Sequence, residues 1–316
     1  MNIPVIDFGA YSLDEEEVPE EPMHDLRQQF KTALTEVGFV FLKNTGITQE
    51  EMDRVLDVSL KFFQQPDELK RPFCWKNFDS PGHGWVFPEE ERLSPLRPPD
   101  LKESFNIGFL QPDIKWPQGE FREVLTSFFH RSKELSLRVL TVMAHSLDLD
   151  PEVFLSAHRS VGMKNNATAL RTLYYPPVGQ EVKEGQMRCG EHSDYGTISL
   201  LFHNNEGLQV RARSGEYIDV PVSPGYILIN IADLMQRWTN DQFTSALHRV
   251  LLPPAGDSNT RQSVVFFLNP DDEALITCLD GSNKYPPVTG RAYLMKRIQA
   301  ALDLKLQSFS SKLTDY

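Results

Sequence analysis

The chain has 316 residues, of which 40% are apolar and 24% are charged, and its formal net charge is −12. This composition is typical of a globular protein and excludes the collagen-like, disordered and disulfide-dense classes. No apolar run reaches the roughly 18 residues that a membrane span requires, so we expect no membrane partner. An acidic chain without a basic run also argues against nucleic-acid binding, which depends on neutralising phosphates, and favours small-molecule partners.

Cysteine usage indicates the compartment. Cys74, Cys189 and Cys278 are far apart and form no CxxC pair, which predicts neither a disulfide framework nor a thiolate zinc site. The N-terminal sequence MNIPVIDF lacks the charged-then-apolar pattern of a secretory signal. We therefore expect a cytoplasmic protein.

The first half of the sequence predicts mixed helix and strand. Apolar positions at helical spacing predict helices over 24–37 and 120–149, the second of them long and central. Thr48 and Glu51 have the spacing of a capping box, which predicts the start of another helix. Residues 64–100 are rich in proline, glycine and charge, and they predict a long irregular segment.

The pattern changes after about residue 165, where short β-like runs follow one another between turn signals. Many short strands at fairly regular spacing predict a sandwich or barrel, and residues 230–240 predict a strand followed by a turn. No linker-like stretch divides the two halves, and no apolar helix is left over to form an interface. We therefore expect a monomer with a single domain. Its expected parts are a mixed α/β N-terminal region at 1–164, a β-rich core at 165–290 and a C-terminal helix at 291–316.

The segment GEHSDYGTISLLF carries the first candidate metal ligands, His192 and Asp194, at the edge of a predicted strand. A side-chain period of two places both on one side, where an imidazole and a carboxylate can share a metal ion. Such a pair also arises by chance. The best third ligand is His248, which opens the strand HRVLL after a polar turn region. Two histidines and one aspartate on one face of a metal leave open positions, as in the facial triad of non-haem Fe(II) oxygenases.

A second group of residues is suited to bind a carboxylate. Arg261 and Ser263, at the head of the strand SVVFFL, share a face by the same period of two. A guanidinium binds a carboxylate through two parallel hydrogen bonds, and a neighbouring hydroxyl can donate a third. The alternative for Arg261 is an ordinary surface salt bridge. Upstream, RTLYYPP offers Arg171 and Tyr175 near a strand end.

With these motifs in place, the sequence resembles the isopenicillin N synthase-like family of 2-oxoglutarate- and Fe(II)-dependent oxygenases. The resemblance spans nearly the whole chain. It is carried by IPVIDF, VGFVFLKNTGI, YYPP, GEHSDYGTISLLF, GLQV, PGYILINIADLMQRWTN and HRVLLPP followed by RQS, in the family's order. It implies an α+β fold with a mainly β core, in which a double-stranded β-helix (jelly roll) is flanked by helices and holds the metal inside its mouth.

The resemblance also implies the role of individual residues and the reaction. We expect an enzyme that uses Fe(II), O₂ and the co-substrate 2-oxoglutarate and releases succinate and CO₂. It would oxidise an unactivated C–H of a small molecule by hydroxylation, desaturation or ring closure. His192, Asp194 and His248 match the iron ligands, Arg261 and Ser263 match the pair that holds the far carboxylate of 2-oxoglutarate, and Tyr175 matches a tyrosine that helps to bind it.

Substrate contacts are predicted from strand faces. Phe267 and Asn269 share the face of Ser263 and are expected to point into the barrel, although a phenylalanine at such a position is often plain core. Arg171 shares the face of Tyr175. An arginine facing a barrel interior needs an anion, which can be a substrate or a protein carboxylate.

Three alternatives remain open from the sequence. One is an Fe(II) oxidase of the same fold that does not use 2-oxoglutarate. Another is a jelly-roll protein that binds a metal or a small acid without turnover. The third is a zinc hydrolase, which shares the ligand types but does not account for Arg261 and Ser263. The sequence does not separate the possible substrate classes.

Overall fold

Most of the strands lie in the second half of the chain in the computed structural model, which describes residues 2–16, 20–77, 82–94, 97–110, 114–178, 182–254 and 257–300. The strands are β1 (Val5–Asp7), β2 (Phe39–Lys43), β3 (Gly84–Val86), β4 (Glu103–Ile107), β5 (Ala169–Tyr175), β6 (Cys189–His192), β7 (Ile198–His203), β8 (Leu208–Arg211), β9 (Tyr217–Asp219), β10 (Ile227–Ile231), β11 (His248–Val250), β12 (Arg261–Leu268), β13 (Leu275–Ile276) and β14 (Val288–Thr289).

Helices dominate the first half of the chain and the last described residues. The α-helices are α1 (Glu20–Glu36), α2 (Gln49–Phe63), α3 (Asp67–Lys70), α4 (Phe121–Ser146), α5 (Glu152–Leu155), α6 (Asp233–Trp238) and α7 (290–300). Short 3₁₀ helices cover Gly9–Tyr11, Arg71–Phe73, Trp75–Asn77 and Ser156–His158.

The helices predicted over 24–37 and 120–149 are confirmed as α1 and α4. The capping box is present at the start of α2, where the Thr48 hydroxyl accepts from the Glu51 amide and the Glu51 carboxylate accepts from the Thr48 amide. The C-terminal helix begins at 290, and the part of its predicted range beyond 300 lies outside the described residues.

Two sheets form the jelly-roll core that the resemblance implied. The larger sheet has eight strands in the order β1-β2-β10-β7-β12-β5-β4-β3, and the smaller has four in the order β6-β11-β8-β9. All neighbouring strands in these two sheets are antiparallel except β1 and β2. Because β1 to β4 extend the larger sheet, the N-terminal region and the β-rich core share one sheet.

Alternate side chains of the larger sheet point to opposite faces, and each face packs into its own apolar layer. Phe202 on β7 and Phe266 on β12 pack toward the helices, where their rings lie 4.9 Å from Phe128 and 5.1 Å from Phe129 of α4. Leu201, the neighbour of Phe202 on β7, faces the space between the sheets. Replacing a buried phenylalanine such as Phe266 by alanine is expected to lower the free energy of unfolding by about 3–5 kcal/mol. The helices therefore support one face of the sheet and leave the other face to line a cavity.

Two local predictions were wrong. Residues 64–100 are not irregular throughout, because they contain α3, the 3₁₀ turns and β3. The segment 230–240 is not a strand followed by a simple turn, because β10 leads directly into α6. The helices α3 and α6 are too short to show a helical period in the sequence. The first turn of each carries an acidic residue, Asp67 in α3 and Asp233 in α6, which is a favourable position for a negative charge. Among the described helices, none combines the length and hydropathy needed to cross a bilayer.

Candidate metal and carboxylate site

Strand pairing in the smaller sheet brings the two candidate histidines together. His192 at the end of β6 is the register partner of His248 at the start of β11, and their ring centroids lie 4.2 Å apart. The Nδ1 atom of His192 is 2.8 Å from the Gly190 carbonyl, and that of His248 is 3.2 Å from the Ala246 carbonyl. Since Nδ1–H donates to a carbonyl in each ring, the Nε2 lone pairs are left to bind a metal.

Asp194 joins the histidines, but not for the reason the sequence suggested. β6 ends at His192, so Asp194 lies beyond the strand and the period-of-two argument does not apply to it. Its Oδ2 accepts hydrogen bonds from Ser199 Oγ at 2.6 Å and from Asn230 Nδ2 at 2.7 Å. Oδ1 lies 3.9 Å from His192 Nε2 and 3.8 Å from His248 Nε2. One carboxylate oxygen is therefore fixed by hydrogen bonds, and the other faces the histidines.

The protonation of the cluster suits a divalent cation. Burial and the neighbouring His248 lower the pKa of His192 to about 3, so its imidazole is neutral at physiological pH. Burial raises the pKa of Asp194, but His248, His192 and the hydrogen bonds from Asn230 and Ser199 outweigh it and lower that pKa. A neutral imidazole and an ionised carboxylate are the forms that bind metals.

The C-terminal helix is tied to the loop that carries Asp194. Arg297 on α7 forms an ion pair of 2.6 Å with Asp233, and its guanidinium lies 4.6 Å from the Tyr195 ring centre. Asp233 also accepts from the hydroxyl of Ser193 at 3.0 Å. These contacts hold both neighbours of Asp194, so α7 supports the cluster from outside.

Arg261 is buried, and no carboxylate among the described residues is paired with it. Its side chain is almost fully buried, its Nε donates to the Asn205 carbonyl at 3.1 Å, and its guanidinium lies 4.9 Å from the Tyr175 ring centre. Its buried Nη1 has no hydrogen-bond partner among the described residues. Burial lowers the pKa of Arg261, which expresses the cost of this charge. An uncompensated buried cation is strongly unfavourable unless an anion joins it.

Ser263 and Tyr175 lie beside Arg261. The register pairs Arg261 with Tyr175 across β12 and β5, and Ser263 is buried on the same face of β12 as Arg261. Burial raises the pKa of Tyr175, while Arg261 opposes the shift, so the phenol keeps its proton. The three side chains offer N–H and O–H donors at one end of the cavity, as a carboxylate requires.

Arg171 lines the same cavity in a different setting. Its Nη1 lies 3.1 Å from Glu91 Oε1, and its Nε donates to Asn106 Oδ1 at 2.5 Å. Of the two anions that the sequence left open for this arginine, the structure supplies the protein carboxylate. Phe267 also lines the cavity, with its ring centre 5.8 Å from the Arg171 guanidinium.

The cavity lies between the two sheets and contains most of the predicted site. The predicted residues that line it are His192, Asp194, His248, Arg261, Ser263, Tyr175, Arg171 and Phe267. Asn269 is not among its described lining residues. It follows the end of β12, and its amide donates to the Ala167 carbonyl at 3.1 Å.

Sequence reasoning missed several residues that orient or charge the site. Asn230 and Ser199 hold Asp194, and Lys102 lines the cavity. One signal was available for Asn230, since a polar residue inside the buried run ILINI needs a partner. Lys102 gave no comparable signal, because a lysine near a predicted irregular segment is ordinarily exposed.

Two family models and several relatives match most of the chain. Residues 166–270 match the model of the 2OG-Fe(II) oxygenase superfamily, and residues 3–126 match that of the non-haem dioxygenase in morphine synthesis N-terminal family. The 2-oxoglutarate-dependent dioxygenase htyE of Aspergillus rugulosus is 31% identical over 81% of this chain and 86% of its own. The proline hydroxylase buaE of Petromyces alliaceus is 32% identical over 80% of this chain and 83% of its own.

A solved structure is similar over nearly the whole chain. It is the crystal structure of a full-length Neurospora crassa protein in complex with α-ketoglutarate and thymine, with a TM-score of 0.80 and 31% identity. The match covers 94% of this chain and 96% of that one. The Neurospora crassa protein thus holds a small organic molecule together with 2-oxoglutarate.

Proposed function

The chain belongs to the 2-oxoglutarate- and Fe(II)-dependent oxygenase superfamily, and from that membership we propose that His192, Asp194 and His248 bind its iron. The protein is a 2-oxoglutarate-dependent dioxygenase. The observation that carries the site assignment is the convergence of three ligand atoms, one from each residue, within 4.8 Å of one another.

The donor set fits Fe(II). Hydrogen bonds occupy Nδ1 of both histidines and Oδ2 of Asp194, so each residue presents one free ligand atom to the shared space. Two imidazoles and one carboxylate with open positions are typical of Fe(II) oxygenases. When bound there, the iron supplies a centre for O₂ activation coupled to decarboxylation of 2-oxoglutarate to succinate. Asn230 and Ser199 keep the Asp194 carboxylate in place for it.

We assign the far carboxylate of 2-oxoglutarate to Arg261, Ser263 and Tyr175. The support is the unsatisfied Nη1 of Arg261, a buried cation that lacks an anion among the described residues. A dicarboxylate keto acid supplies that anion and can still reach the metal cluster, because both ends line one cavity. The serine and tyrosine hydroxyls then donate the additional hydrogen bonds that a carboxylate accepts.

The substrate we propose is a small molecule oxidised at an unactivated C–H by hydroxylation, desaturation or ring closure. Arg171 and Phe267 are its proposed contacts, because both line the cavity beside the cluster. Apolar walls such as Leu173 and Leu201 exclude water from the reacting centre, and this limits side reactions. Asn269 is left out, since its amide bonds to the backbone.

The remaining properties stay proposals from composition and organisation. The net charge of −12 supports a protein without nucleic-acid partners. We also propose one domain over residues 1–316, because strands of the N-terminal region continue the sheet of the core. That the protein is a monomer remains a prediction from the sequence. A cytoplasmic location without a membrane partner remains a prediction from the cysteines and the hydropathy of the sequence.

The iron site is tested by Asp194→Ala. Loss of the carboxylate is expected to weaken anaerobic Fe(II) binding by at least about 100-fold and to abolish succinate release. Asp219→Ala is the matched control, because Asp219 is exposed on β9 and bonds to Gln209. A variant at Asp194 that binds Fe(II) and consumes 2-oxoglutarate like the control would show that the assignment is wrong.

A further inference from the structure

A charged cluster forms part of the cavity wall outside the metal and 2-oxoglutarate groups. Lys102 directly precedes β4 and Arg171 lies on β5, and both side chains line the cavity. The Lys102 side chain is 2% exposed and that of Arg171 is 23% exposed. Two cations in a largely buried wall are costly unless anions compensate them.

Two carboxylates compensate these cations. Asp100 Oδ2 lies 2.6 Å from Lys102 Nζ, and Glu91 Oε2 lies 3.3 Å from the same atom. Glu91 also contacts Arg171 Nη1 through both oxygens, at 3.1 and 3.2 Å. Burial raises the pKa of Glu91, but Arg171 and Lys102 outweigh it and lower the pKa to about 2. The cluster of Glu91, Asp100, Lys102 and Arg171 therefore has a formal charge of zero.

The cations of this cluster line the cavity, but its carboxylates do not. Lys102 and Arg171 line the cavity, whereas Glu91 and Asp100 are not among its described lining residues. Asp100 instead accepts from the Gly190 amide at 2.9 Å, behind β6. The two residues that carry N–H groups therefore line the cavity, while the carboxylates that balance their charge are not among its described lining residues.

We propose that this cluster selects an uncharged substrate, one that offers a carbonyl or hydroxyl acceptor to Arg171 and Lys102, over a substrate with a carboxylate at that position. The proposal rests on the proposed function and specifies the substrate class of the same site.

Electrostatics supports this selection. A carboxylate at the wall would gain hydrogen bonds, but it would meet no net positive charge to offset the cost of leaving water. A neutral acceptor receives the same N–H groups with a much smaller desolvation cost. A protein can gain specificity for one ligand by making the binding of a competing ligand unfavourable. The anionic co-substrate is handled elsewhere in the cavity, at the uncompensated Arg261.

The test compares acids with their amides on the anaerobic Fe(II) enzyme saturated with 2-oxoglutarate, so that Arg261 is already occupied. The probe pairs are nicotinate and nicotinamide, indole-3-acetate and indole-3-acetamide, and uracil-5-carboxylate and uracil-5-carboxamide. Binding is measured by calorimetry for the wild type and each variant. Saturation with 2-oxoglutarate is verified first, because an enzyme that fails there contradicts the proposed function, whereas one that passes tests the substrate class alone.

The wild type is expected to bind at least one amide about tenfold more tightly than its acid. Glu91→Gln leaves one uncompensated positive charge and is expected to shift that ratio about tenfold toward the acid. Glu91→Gln with Arg171→Gln restores a formal charge of zero and is expected to reverse the shift. Glu89→Gln is the matched control, because Glu89 lies on the same segment but pairs with Lys183 at 2.6 Å.

The single variant Arg171→Gln keeps the experiment decisive if Glu91→Gln does not fold. It leaves one uncompensated negative charge, so the ratio is expected to move further toward the amide. The proposal is overturned if the wild type prefers the acids or binds none of the amides. It is also overturned if the variants at Glu91 and Arg171 leave the ratio as it is in the Glu89→Gln control.

Discussion

Two arginines of one cavity differ in whether a protein carboxylate is paired with the guanidinium. Arg261 on β12 has none among the described residues and keeps an unsatisfied buried Nη1. Arg171, on the adjacent strand β5, is bound by Glu91 at 3.1 Å. The same residue type is therefore proposed to bind an anion in one place and a neutral group in the other. Compensation by neighbours, more than residue identity, determines what each arginine can recognise.

The largest effect is expected from Arg261→Met. Removing the uncompensated cation is expected to raise the Kd of 2-oxoglutarate about 100-fold, since a buried charge contact typically contributes about 2–5 kcal/mol. The measurement is an anaerobic titration of the Fe(II)-loaded enzyme. Arg213→Met is the matched control, because Arg213 is exposed and its guanidinium donates to the Thr35 carbonyl, away from the cavity. A Kd within threefold of the control would show that Arg261 does not bind the carboxylate of 2-oxoglutarate.

A smaller effect is expected from Tyr175→Phe, which separates the charge of Arg261 from the neutral donors beside it. Loss of one hydroxyl that donates to a charged ligand is expected to raise the Kd of 2-oxoglutarate about tenfold. Tyr217→Phe is the matched control, because the Tyr217 hydroxyl is buried on β9 without a hydrogen-bond partner among the described residues. Equal affinities in the two variants would remove Tyr175 from the carboxylate site.

The smallest effect on 2-oxoglutarate is expected from Arg171→Gln. Because Glu91 already compensates Arg171, the Kd of the co-substrate is expected to change by less than about threefold. The same anaerobic titration measures it. A loss as large as that expected for Arg261→Met would mean that the co-substrate carboxylate lies at the Arg171 end of the cavity.

The sequence predicted the chemistry of the site better than its electrostatics. His192, His248 and Arg261 could be found because metal and carboxylate binding restrict the residue types and because each opens or closes a strand. Asp194 was identified by an argument that does not hold, since it lies beyond β6 and is held by Ser199 and other side chains.

The charged cluster could not be predicted from the sequence. Glu91 and Lys102 belong to or border a segment whose composition indicates exposed loop, and burial of their charges depends on how that segment folds against β5 and β6. Pairing between residues so distant in the chain is set by sheet register, which hydrophobic patterns do not specify for charged side chains. The fold class could be predicted, because the strand runs of the core are apolar and regularly spaced.

A crystal structure of the enzyme grown without oxygen, with Fe(II) and 2-oxoglutarate, would show directly which residues bind the iron and the co-substrate. We expect iron bound by Nε2 of His192, Nε2 of His248 and Oδ1 of Asp194, with the far carboxylate of 2-oxoglutarate on Arg261. Iron bound away from these three residues, or that carboxylate bound to Arg171, would contradict this expectation.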